Sequence, residues 1–149
     1  PKYTLPKKLF GIFEHTILRP NSPLFRGFDD TFLAPQSRHT EVLAEDILKV
    51  PSLELLAVSE EAGVFCCKSE DNRQLFVSGH LEYDADTLSR EYFRDVNKGL
   101  SIDVPKHYFP QDDPAQAPVV HWRSAGQLLF SNWLNYYVYQ TTPYDLHSL

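Results

Sequence analysis

The chain has 149 residues, 42% hydrophobic, 23% charged and 13% aromatic. That is the composition of one globular domain able to bury roughly 70% of its unfolded surface, and it excludes disorder as the main state. Fourteen Lys and Arg against twenty Asp and Glu give a net charge of −6, a field that repels phosphate backbones and anionic lipid surfaces and argues against nucleic-acid and membrane partners.

No apolar run approaches the ~20 residues of a spanning helix, and the opening residues lack the charged-then-apolar pattern of a leader. The sequence starts at Pro1 and contains no Met, so a processed product or a fragment of a longer chain is expected. In chain order, Leu9–Leu18 is rich in strand formers but alternates poorly, and the Pro20–Pro23 stretch ends it. Ala34–His39 carries Pro35, which a central strand does not tolerate, so it reads as a loop or a sheet edge. Val42, Leu43, Ile47, Leu48 and Val50 have near-helical spacing and predict a short amphipathic helix over Glu41–Val50, stopped by Pro51. Leu53–Val58, Ala62–Lys68 and Leu75–Val77 read as strands joined by tight polar turns. After Ser78-Gly79-His80 the spacing of Leu88, Tyr92, Phe93, Val96 and Leu100 predicts a helix. Asp84 and Asp86 stand where N-caps belong, and Lys98-Gly99 where a helix ends. Pro105–Pro118, with four prolines, predicts an irregular surface excursion. A second helix from Ser124 to about Gln140 bears aromatic and aliphatic side chains almost all round, so it is either buried on most sides or covered by a partner.

His80-Leu81-Glu82 is the first chemical candidate. A His that follows a strand through a Gly suits a general base, and a carboxylate two residues on can return to orient the imidazole. Spacing alone leaves open an ordinary surface turn. Cys66 and Cys67 are adjacent within a strand, so their side chains face opposite sides. A disulfide between them is sterically poor, a reducing cytosolic compartment is expected, and neither occupies the strand-to-helix turn that favours a nucleophilic thiolate. The six histidines show no paired spacing of three or four and there is no C-x-x-C, which argues against a metal site. Ser37 lacks G-x-S-x-G surroundings. The chain thus offers a base and an acid without a nucleophile.

Lys7-Lys8-Leu9-Phe10-Gly11-Ile12-Phe13-Glu14-His15, Arg26-Gly27-Phe28-Asp29-Asp30 with Phe32-Leu33-Ala34-Pro35, Gly79-His80-Leu81-Glu82-Tyr83-Asp84, and Leu129 through Gln140 together closely resemble the homoserine O-acyltransferases, which include homoserine transsuccinylase. The resemblance runs over essentially the whole chain. It implies an α/β fold, a class I glutamine amidotransferase-like (flavodoxin-like) three-layer sandwich. Residues 1–149 would be the C-terminal part of a single acyltransferase domain whose N-terminal half carries the nucleophilic Cys, so the chain alone is expected to be inactive. In the family an acyl group passes from acetyl-CoA or succinyl-CoA through a Cys thioester to the hydroxyl of L-homoserine, the first step from homoserine toward methionine. Acyl-CoA is then a co-substrate, with no cofactor and no metal. The resemblance also implies a cytoplasmic enzyme and a homodimer.

The resemblance further implies that His80 is the base, Glu82 its orienting acid, and Lys8, Ser37 and Arg94 contacts to the amino-acid substrate. On spacing alone the last three read equally as a strand-end charge, a turn residue and a helix-surface ion pair of Arg94 with Glu91. The sequence departs from the family pattern in having Leu81 where Pro is usual, and Gln36 and Ala125 where His is common. Leu81 is expected to loosen the His80 loop, and the other two bear on which acceptor is used. Serine as acceptor, a glutamine amidotransferase-like hydrolase and a non-catalytic binding domain remain the alternative readings.

Overall fold

The computed structural model describes residues 1–142; His147 lies outside them. Its centre is a five-stranded antiparallel sheet of β1 (Tyr3–Ile17), β2 (Thr31–Glu41), β3 (Leu53–Ser59), β4 (Gly63–Ser69) and β5 (Leu75–Val77), in the order β2-β1-β3-β4-β5. β1 begins earlier than the sequence indicated. It alternates poorly for a physical reason: Phe10, Gly11, Ile12 and Phe13 are all buried, as in a strand covered on both sides. Alongside β1, in the plane of the sheet, the segment around Lys106 makes an isolated parallel bridge to Gly11. Gly11 has φ +145°, and a Cβ there would lie 2.3 Å from the Lys106 carbonyl oxygen, so only glycine lets the two backbones approach.

β2 is an edge strand, which is how Pro35 is accommodated opposite Ile12. Helices lie on both faces of the sheet. On one face α2 (Thr87–Asn97) and α3 (Arg123–Trp133) contribute Leu88, Ala125 and Leu129 to a core with Phe10, Ile12, Leu56, Phe65 and Cys66. On the other face α1 (Ala44–Leu48) sets Ile47 against Leu55, Val64 and Cys67. The adjacent cysteines therefore do serve opposite sides of β4, and both are free.

Several expectations are corrected. α1 has five residues rather than the ten of Glu41–Val50, and Leu48 is exposed. Asp86 holds the N-cap position of α2 but makes no side-chain cap bond. Asp84 contributes only its backbone carbonyl, to Thr87 N–H, so the aspartates do not cap through their carboxylates. Gly99 ends α2 as expected, with φ +71°. The 105–118 segment is not simply a surface excursion, because Pro105, Tyr108 and Phe109 are buried in the core. α3 runs on into a wider π-helical turn, Leu134–Val138. Along these two segments Leu129, Asn132 and Tyr137 are buried while Phe130 and Trp133, with Tyr139 just beyond, are exposed. No helix among the described residues is long and apolar enough to cross a membrane.

Candidate active site

The turn after β5 is fixed by packing and by backbone bonds at almost every residue. Ser78 N–H donates to Phe65 O at 2.8 Å and His80 N–H to Pro35 O at 2.9 Å, tying the turn to β4 and to β2. Gly79 is needed for space rather than for a left-handed turn: a Cβ would stand 2.5 Å from the Phe65 ring, itself fully buried. Gly126 in α3 plays the matching part from above, since a Cβ there would meet Leu81 O at 2.6 Å. Leu81 is 5% exposed within the core, so in place of the usual Pro it anchors the loop instead of loosening it. Trp122 Nε1–H donates to Tyr83 O at 2.9 Å and fastens the far end. All strand pairings of the sheet among the described residues are antiparallel, so His80 is placed by this bracing and not by a crevice at the ends of parallel strands.

On the braced turn His80 Nδ1 is 2.8 Å from Glu82 Oε1, and the imidazole stacks on the Tyr83 ring at 4.4 Å and 10°. With Nδ1–H donated to the carboxylate, the tautomer leaves Nε2 as an acceptor. Nε2 has no protein hydrogen-bond partner among the described residues. The pair can take a proton at Nε2 and stabilise the resulting imidazolium, which is the work of a general base with an orienting acid.

Lys8, Ser37 and Arg94 come from β1, β2 and α2, yet the fold brings all three to the carboxylates of Glu91 and Asp95. Lys8 Nζ donates to Glu91 Oε1 at 2.6 Å and lies 4.0 Å over the Phe10 ring. Ser37 Oγ is 3.0 and 2.9 Å from the two Glu91 oxygens. Arg94 is bidentate to Asp95, at 2.6 and 2.9 Å, and approaches Glu91 at 3.6 Å, so its main partner is Asp95 rather than the Glu91 inferred from spacing. The Arg94 hydrogen bonds hold the Asp95 carboxyl below the usual carboxylate range, and the same bonds raise Arg94. A cavity of about 390 Å³ opens beside Lys8, Phe10, His39 and Asp95.

Glu91, Asp95 and Tyr83 were missed as site residues by sequence reasoning. A signal existed in the i, i+3 and i+4 positions of Glu91, Arg94 and Asp95, which share one face of α2. Burial, with the charges of Glu91 and Glu82, keeps the Tyr83 phenol above its ordinary range and hence neutral. Gln36 and Ala125 are core residues; Gln36 Nε2 sits 3.2 Å from His15 Nε2 beneath Gly79. Desolvation lowers the His15 pKa to about 4. Burial pushes the thiols of Cys66 and Cys67 up, the opposite of what a nucleophile needs. Among the described residues no three His, Cys, Asp or Glu side chains gather as a metal-ligand set.

Residues 1–144 match the family model described as homoserine O-succinyltransferase. Curated relatives named homoserine O-acetyltransferase are 61% identical over 148 residues in Acetivibrio thermocellus, 59% over 147 in Brevibacillus brevis and 56% over 149 in Bacteroides fragilis. These alignments cover 99–100% of this chain and 48–49% of each relative, so the chain spans about half their length. Among solved structures, a glutamine amido transferase from Methylobacillus flagellatus superposes with TM-score 0.55 at 14% identity, over 90% of this chain and 55% of that one. A glutamine amidotransferase from Thermotoga maritima gives TM-score 0.51 at 14% identity, over 89% of this chain and 46% of that one. At such identity the likeness establishes the glutamine amidotransferase-like α/β fold.

Proposed function

The chain belongs to the homoserine O-succinyltransferase family, and from that premise we propose that it is the C-terminal part of a single acyltransferase domain. That domain moves an acetyl or succinyl group from acyl-CoA to the hydroxyl of L-homoserine. The observation that carries the reading is the 2.8 Å His80–Glu82 pair on a rigid turn with an open Nε2. The nucleophile is a Cys of the N-terminal part, a reading supported by the burial and raised pKa of both thiols present here. An exposed apolar strip, Phe76 and Val77 on edge strand β5 with Phe130 and Trp133 beside it, suits a contact surface for that part.

In the first half-reaction His80 Nε2 takes the thiol proton, the thiolate attacks the acyl carbonyl, and coenzyme A leaves as the thiol with that proton. In the second, His80 takes the proton of the substrate hydroxyl. The alkoxide oxygen attacks the thioester, and the Cys leaves as thiolate to regain the proton from the imidazolium. Glu82 fixes the tautomer and stabilises the imidazolium in both, while Lys8, Ser37 and Arg94 orient the amino acid. The free cysteines fit a cytoplasmic enzyme. No cofactor is required.

The test uses labelled acetyl-CoA and succinyl-CoA with homoserine, serine and glutamine. The full-length protein carrying this chain is expected to form a Cys thioester by mass spectrometry and to pass label to homoserine. The 149-residue chain alone is expected to form no adduct on Cys66 or Cys67. Label passing to serine alone would name that acceptor instead, and ammonia release from glutamine without acyl transfer would overturn the transferase reading.

A further inference from the structure

Resting on the transferase reading, we infer that Tyr83 is a positioning residue for the general base. Its ring face fixes the plane of the His80 imidazole, so that Nε2 points the same way in both half-reactions, and supports the imidazolium formed between proton transfers. The two rings lie parallel, 4.4 Å apart at 10°. At that distance the negative face of the phenol attracts a positive charge on the imidazole.

The Glu82 hydrogen bond does not hold the imidazole by itself. The Glu82 side chain is 53% exposed, and His80 is its one hydrogen-bond partner among the described residues. Such a carboxylate decides which nitrogen carries the proton, but it is free to move with the ring it bonds. The His80 side chain is itself 34% exposed. A contact on the ring face is therefore needed to stop the imidazole from swinging, and Tyr83 makes that contact.

Tyr83 is fastened where Glu82 is loose. Its N–H donates to His80 O at 3.2 Å, closing a turn that brings the first and fourth residues together. Its carbonyl accepts the Trp122 Nε1–H at 2.9 Å, and Trp122 is 1% exposed. Its ring packs against the main core. Two residues on, Tyr108 donates its hydroxyl to Ala85 O and extends the clamp. The Tyr83 hydroxyl has no hydrogen-bond partner among the described residues, and burial keeps it neutral. The working part is thus the ring face and not the phenol oxygen. Orientation is worth this bracing, because a misplacement of about 1 Å can cost as much as about 10²-fold in rate.

The experiment measures kcat and KM for acyl transfer in the full-length enzyme and its Tyr83→Leu and Tyr83→Phe variants. Tyr83→Leu, which fills the space without a π face, should lower kcat about 10-fold or more and leave KM for both substrates within about threefold. Tyr83→Phe keeps the face and should restore kcat to within about threefold of the wild type. A normal kcat in Tyr83→Leu would overturn the inference. So would an equal loss in Tyr83→Phe, which would assign the role to the hydroxyl, or a loss carried by KM, which would make Tyr83 a substrate contact. Should Tyr83→Leu fail to fold, the wild type's histidine ring protons decide by NMR. Those of His80, assigned by their loss in His80→Asn, should be shifted upfield of the exposed His39 by the Tyr83 ring current; an unshifted pair would mean that the stack is absent in solution and overturn the inference. A wild type that transfers no acyl group fails before any variant is compared, and that outcome overturns the transferase reading and this inference together.

Discussion

The His80 turn and the Lys8–Ser37–Arg94 cluster are neighbours held in opposite ways. The turn is held by backbone: its N–H groups are caught by β2 and β4, and two glycines at Gly79 and Gly126 allow the chain to lie flush against Phe65 and α3. The cluster is held by side chains, each ion fixed by another ion that is itself movable. On the proposed reaction, this arrangement would keep the base in one orientation through both half-reactions and let the binding groups exchange partners with an incoming substrate.

The largest expected effect attacks the chemistry of the turn without its packing. Glu82→Gln in the full-length enzyme keeps the side-chain shape but removes the charge that stabilises the imidazolium, so kcat should fall about 10²-fold with little change in Tm. Steady-state kinetics with a thermal melt checks it; a near-normal kcat would reduce the His80–Glu82 pair to an ordinary turn. Gly79→Ala attacks the packing instead. The new methyl would press on a Phe65 ring wedged against His15 and Phe32, and overpacking of this kind costs about 1–3 kcal/mol. Denaturant melts should show that loss. The same change at Gly99, where nothing lies within 4 Å of the added Cβ, meets backbone strain alone and should cost less.

This contrast also marks what the sequence could reveal. Strand β4 with its paired cysteines, β5, the α2 register and the His80–Glu82 return were legible because each depends on neighbours in sequence. The bracing of the turn was not, because Gly79 and Gly126 answer to Phe65 and to Leu81, residues far away in the chain. The five-residue α1 fell short of its periodic pattern since only Ile47 found a surface to bury against. Tyr108 and Phe109 were hidden by the prolines around them, which signal irregular backbone but say nothing of depth. Lys8, Ser37 and Arg94 came from the family resemblance, and only the fold reveals that they share the Glu91–Asp95 hub.

Beneath the His80 turn sits the buried pair His15 and Gln36. His15 has a folded pKa of about 4 against 6.5 unfolded, so between these values the unfolded chain binds the extra proton and stability rises with pH. Acidification from pH 7 to pH 5 should therefore cost about 2 kcal/mol through this one group. Denaturant titrations at the two pH values test it. His15→Gln should flatten the dependence in that window, and an unchanged slope would assign it to other groups.

The smallest effect separates two acids of the same loop. Asp84 lies two residues from Glu82, and its position before α2 made it a candidate cap, yet its carboxylate is 85% exposed and its nearest cation, Arg90, is 4.0 Å away. The bond to Thr87 N–H comes from the Asp84 backbone carbonyl, which survives truncation of the side chain. Asp84→Ala should accordingly cost less than about 0.5 kcal/mol, the range of an exposed surface change, and leave kcat intact. Asp86→Ala should lose only the few tenths carried by its i, i+4 pair with Arg90 at 3.3 Å. A loss above about 1 kcal/mol in either variant would mean that the carboxylate caps α2 in solution. A drop in turnover on Asp84→Ala with unchanged Tm would mean that two acids, not one, serve the His80 imidazole.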